Sequence, residues 1–94
     1  MNKAEALEVL SHEMNSWRAR SYEQLSKLIG APKCAVEIIG PSGTLYYVTV
    51  EVFWDSRPNA NVRVLGCVDD GRYRAFVPLS NAFIVSSDGG FVGE

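Results

Sequence analysis

Between residues 44 and 54 polar and apolar positions alternate so regularly that a strand can be read directly. Tyr46, Val48, Val50, Val52 and Trp54 share one parity and make an unbroken apolar ladder, while Tyr47, Thr49, Glu51 and Phe53 make a mixed one. Most of these side chains are β-branched or aromatic, the types that suit a pleated, half-buried surface. The spacing predicts a sheet with one face committed to the core.

Upstream, the period changes from two to that of a helix. Leu7, Leu10, Met14 and Trp17 fall on one stripe, and Asn2 with Glu5 reads as a capping box, so a helix is expected over residues 3–18. Ser21 and Gln24 form a second capping box, and Tyr22, Leu25, Leu28 and Ile29 share a face, which predicts a helix over 22–29. Gly30 and Pro32 stop it. Lys27 is the one basic residue of that second helix, so a core-covering pair fits better than a helix-turn-helix reader of DNA.

Strands are expected over 34–39, 44–54, 61–68 and 72–77, with a C-terminal extension over 79–94. Gly40-Pro41-Ser42-Gly43 reads as a hairpin turn: proline presets one φ and glycine permits the positive φ that follows. A phosphate-cradling loop would feed a helix rather than a strand. Asp69-Asp70-Gly71 reads as a tight turn into the fourth strand, which Pro78 ends. Residues 81–85 read either as a turn of helix or as an extra strand. The expected fold is one α+β domain over residues 1–94: two N-terminal helices on one face of a four-stranded antiparallel meander.

Composition narrows the function classes. An apolar fraction of 47 % and a charged fraction of 21 % are those of a globule, so a folded rather than a disordered chain is expected. Net charge is −2 and evenly spread, which gives no basic footprint for nucleic acid. No apolar run reaches the roughly 20 residues of a membrane span, and the first ten residues lack the apolar core of a secretory signal. The expected setting is the cytoplasm, with neither membrane nor nucleic acid as partner. In a reducing compartment Cys34 and Cys67 read as small buried side chains rather than as a redox or metal pair.

The order of elements, with Gly-Pro-Ser-Gly-Thr at 40–44, Phe53-Trp54-Asp55, Asp69-Asp70-Gly71, Pro78-Leu79 and Gly90-Phe91-Val92-Gly93-Glu94, resembles a small bacterial α+β family. That family is itself uncharacterised, so no functional residue carries over from it. Helix followed by meander is also similar to the cystatin-like superfold. The inhibitory Gln-x-Val-x-Gly hairpin of cystatins is absent, so the similarity does not imply protease inhibition.

Chemistry is sparse. His12 faces away from the helix stripe with no partner carboxylate or nucleophile in reach, and reads as a solvated side chain. Asp69 and Asp70 suit turn geometry better than an acid–base pair. No nucleotide loop, zinc spacing or calcium loop is present, so no catalytic, cofactor-binding or metal-binding residue is assigned.

Two constellations remain. Trp17, Tyr46, Trp54 and Tyr73 would line a pocket between helix and sheet, or else fill the core. Tyr47, Phe53, Leu65 and Phe76, with Arg63 and Arg74, sit on the mixed sheet face, which one helix pair cannot cover. That face is expected to bind a protein partner or a second copy, unless the apolar residues of 83–92 fold back over it. Glu51 and Arg63 share the face and are expected to pair across strands. The leading expectation is a non-enzymatic interaction module. The alternative is a ligand-binding or enzymatic domain that uses the pocket.

Overall fold

The computed structural model describes residues 2–71 and 79–92. It is α+β: helices α1 (Lys3–Arg18) and α2 (Tyr22–Ser26) pack on a sheet of β1 (Cys34–Ile39), β2 (Leu45–Asp55), β3 (Asn61–Asp69) and β4 (Leu79–Val85). All neighbours are antiparallel and the order is β1-β2-β3-β4, a meander. The strand beside β3 is therefore Leu79–Val85. Residues 72–77, which the sequence favours for that place, lie outside the described residues. Leu79 stands opposite Val68, and the extra strand that the sequence offers at 81–85 lies within this β4.

The alternation of β2 sets the core. Tyr46, Val48, Val50 and Val52 are buried on one face together with Val62, Val64 and Val68 of β3 and Phe83 and Val85 of β4. Ala6, Val9, Leu10, Met14 and Trp17 of α1 and Leu25 of α2 close over them. Leu7 was expected on that stripe but is 44 % exposed, and Ala6 and Val9 take its place. The helix is rotated so that Ala6 rather than Leu7 is buried, and its close approach to the sheet comes at Leu10 and Met14 over Gly66.

Helix α1 crosses the sheet obliquely. It begins at the β1–β2 turn, passes Leu10 and Met14 over Gly66, and ends with the Arg18 guanidinium 4.8 Å from the Phe83 ring centre. Helix α2 is shorter than its apolar pattern because residues 27–31 tighten into i→i+3 bonds, such as Leu28 N–H to Leu25 O and Ala31 N–H to Leu28 O. Tyr22 anchors it by donating to Ala60 O at 2.6 Å, in the β2–β3 connection.

After β4 the chain turns at Ser86–Gly90, and Phe91 pairs with Val85. Phe91 meets buried Phe83 edge-on at 5.7 Å, and Arg18 lies over both rings. The described tail therefore lies on the helix side at the β4 edge, and it leaves the other sheet face uncovered.

Candidate functional site

Every site residue expected from the sequence can be placed except Tyr73, Arg74 and Phe76, which lie outside the described residues. Tyr46 is fully buried and Trp17 is 4 % exposed, both within the core cluster, while Trp54 packs half-buried at its margin. Trp17 Nε1 donates to Glu13 Oε2 at 3.3 Å, and the Arg20 guanidinium stacks 3.9 Å from its ring. A shallow depression on α1, bordered by Leu7, Glu8, Ser11, His12 and Asn15, opens to solvent on the side away from the sheet.

The acid that the sequence reading missed is Glu5. Its N–H is capped by Asn2 Oδ1 at 3.1 Å, but its carboxylate does not return to the cap as a capping box requires. Instead it reaches the β1–β2 turn. Ser42 N–H and Ser42 Oγ each donate to it at 2.7 Å, and Tyr46 Oη donates at 2.6 Å. Gly40 lets this happen, since a Cβ there would stand 2.9 Å from both Glu5 Oε2 and the Tyr46 ring. Three donors satisfy a carboxylate that is otherwise out of water, so the group latches α1 to the hairpin. Its partners lie about forty residues away in the chain, and no local pattern announces them.

These bonds hold the Glu5 carboxyl below its ordinary value, the Tyr46 hydroxyl acting most strongly, then Ser42, with burial opposing. Tyr46 is pushed up to about 12 by its bond to Glu5, by burial, and by the charges of Glu5 and Asp70. A lowered carboxyl stabilises the fold above its unfolded-state value and loses that contribution as pH falls through the folded value. A raised phenol stabilises it below about 10 and loses that contribution as pH rises toward about 12. Urea titrations of the Tyr46→Phe protein should therefore show a flatter fall in stability between pH 10 and 12 than the native chain shows. Identical alkaline limbs would contradict the latch.

The mixed sheet face is where Tyr47, Phe53, Arg63 and Leu65 come together. Phe53 stands opposite Arg63, which stands opposite Ile84, and Leu65 lies between Glu51 and Ala82. Thr49 and Cys67 pair in the next row, then Tyr47 and Asp69, with Glu37 beyond on β1. Tyr47 is 39 % exposed, and Phe53, Leu65, Cys67 and Ile84 are partly so. Arg63 pairs with Asp55 at 2.7 Å, not with Glu51 as expected; both acids are diagonal neighbours of Arg63 in the register. The pair contributes only about 0.2–1 kcal/mol, since 42 % of the Arg63 side chain stays exposed. Cys34, expected in the core, is exposed because it opens the edge strand, and Cys67 is half-buried on the outer face.

Among the described residues no group of three or more His, Cys, Asp or Glu side chains is placed to hold a metal ion, and no helix is long and apolar enough to cross a membrane. Set against protein-family models, curated proteins and solved structures, the chain finds no match in any of the three.

Proposed function

We propose that this domain is a non-enzymatic protein-interaction module and that its outer sheet face receives a second copy of the same chain. The observation that carries the reading is the self-complementary order of that face. Val50 and Gly66, which point to the core, are register partners, and their row marks the midpoint of that face. A two-fold axis through that row, lying between two faces and across the strands, inverts each strand about its own midpoint. Tyr47 of one copy then meets Phe53 of the other, Asp69 meets Arg63, Cys67 meets Leu65, and Thr49 meets Glu51. Aromatic stacks on aromatic and carboxylate meets guanidinium, without a like-charge pair. An isologous contact demands this kind of pattern.

The patch is modest. With strands about 4.8 Å apart and a rise of about 3.4 Å per residue, it measures on the order of 15 by 20 Å. That is below the ~800 Å² per partner of a standard interface, so the association is reversible and concentration dependent. Phe53→Glu sets a carboxylate against the partner's Tyr47 and beside Asp55, and should abolish this contact while the fold survives, since Phe53 is outside the core. Sedimentation across a concentration series reads the outcome. A Phe53→Glu protein that associates as the native chain does would overturn the proposal.

A further inference from the structure

The second open surface is an edge, not a face. Among the described residues β1 is the terminal strand on its side, and its partner β2 occupies only one of its two flanks. The hydrogen-bond phase is set at the turn, where Gly40 N–H donates to Thr44 O at 2.9 Å. Counting back by twos, residues 38, 36 and 34 bond to β2, so Ala35, Glu37 and Ile39 point their N–H and C=O groups outward. Edge strands usually carry a proline, a lysine or a bulge that blocks further pairing. The register of β1 is continuous over six pairs, its only charge is Glu37, and Ile39 is 71 % exposed. The opposite edge differs, since Phe91 bridges Val85 and Val92 N–H donates to Ile84 O.

We infer that β1 pairs antiparallel with β1 of a second copy, about a two-fold axis at Val36, to give one continuous eight-stranded sheet. Three registers let two or more of these outward residues pair with one another, those with the axis at Val36, Glu37 or Ile38. An axis at Glu37 would oppose two carboxylates, and one at Ile38 would bring Pro41, which has no N–H, into the ladder opposite Ala35. An axis at Val36 avoids both. It pairs Ala35 with Glu37, Val36 with Val36, Cys34 with Ile38, and Lys33 with Ile39. Lys33 then lies diagonal to the partner's Glu37, so opposite charges meet, and its aliphatic stem covers exposed Ile39. This contact is independent of the outer-face contact and stands or falls separately.

The test starts from the full chain carrying Phe53→Glu, which removes the outer-face contact. That protein should sediment as a dimer, and adding Glu37→Pro should leave a monomer. Proline there removes an N–H that points away from β2, so the β1–β2 ladder is kept. A Phe53→Glu protein that stays monomeric at the highest concentration overturns the edge contact, as does a dimer that survives Glu37→Pro. Should near-ultraviolet dichroism show the proline variant unfolded, cross-linking decides. In a Cys34→Ser, Cys67→Ser background, Val36→Cys thiols would face each other across a non-hydrogen-bonded pair at about 4.5 Å between Cα atoms, within disulfide reach. Mild oxidation should give a reducible covalent dimer with Val36→Cys and none with Glu37→Cys. No covalent dimer with Val36→Cys, or equal yields from the two positions, overturns the register. A Phe53→Glu dimer lost with Glu37→Pro supports the edge contact whatever becomes of the outer face.

Discussion

Replacing Gly66 with valine is expected to destabilise the domain severely. The residue lies on the core face of β3, beneath α1, where even a bare Cβ would stand 2.5 Å from Met14 Sδ and 3.1 Å from Leu10 Cδ1. Alanine meets the end of a flexible methionine, which can swing aside, and should cost about 1–3 kcal/mol, as overpacked cores do. Valine adds two methyl groups on a stiff χ1. It can be housed only by lifting the helix, and its cost should lie at or beyond the top of that range. A domain stable by roughly 5–15 kcal/mol has little reserve for such a loss. In a Met14→Ala background, itself destabilised by about 2–5 kcal/mol, the further cost of Gly66→Ala should be smaller, because the clashing atom is gone. Chemical denaturation of Gly66→Val, Gly66→Ala, Met14→Ala and the double variant measures this. Native-like stability of Gly66→Val would mean that α1 is not seated over β3.

Trp17→Ala should rank with it, at about 3–5 kcal/mol, the usual cost of truncating a buried large aromatic. Trp17 closes the C-terminal end of α1 in the core, with Glu13 at its indole nitrogen and Arg20 across its ring. The magnitude bears on function as well as on stability. A tryptophan that lined an open ligand pocket would be partly solvated already and would lose far less. A loss below ~1 kcal/mol in urea titration would favour the pocket, since only a poorly packed ring is removed so cheaply. A loss in the expected range leaves the sheet's outer face as the place to look for recognition.

The two largest features of this fold were legible for a simple reason. The strand period is two, so the parity of β2 alone separated Val48, Val50 and Val52 from Tyr47 and Phe53, and with them the core from the outer surface. Long α1 was equally clear in extent. Its rotation was not, because Ala6 and Leu7 are neighbours about 100° apart on the helix and the apolar stripe was drawn through Leu7, whereas Ala6 is the one buried. The strand expected over 72–77 falls outside the described residues, whereas residues 81–85 of β4 stayed open between a turn of helix and an extra strand because Ser80 and Asn81 interrupt the apolar positions of Leu79–Val85. Phe83 and Val85 are nonetheless core.

Long-range polar contacts were the least legible. Glu5 looked like half of a capping box because Asn2 stands three residues before it, and its real partners, Ser42 and Tyr46, become neighbours only when the chain folds. Gly66 carried no warning either, since a glycine inside a strand marks close approach only once the approaching helix is known. On the outer face Tyr47, Phe53, Arg63 and Leu65 were placed together by parity. Ile84 was absent from that set because residues 81–85 were left open between a turn of helix and an extra strand, which fixes no parity for them.

The most direct test of the docking surface is a dilution series of amide spectra on the isotopically labelled native protein. The account predicts concentration-dependent shifts at Tyr47, Thr49, Glu51, Phe53, Arg63, Leu65 and Asp69, and constant indole signals from Trp17. Shifts concentrated on the helices, or a spectrum unchanged over the whole range, would contradict it.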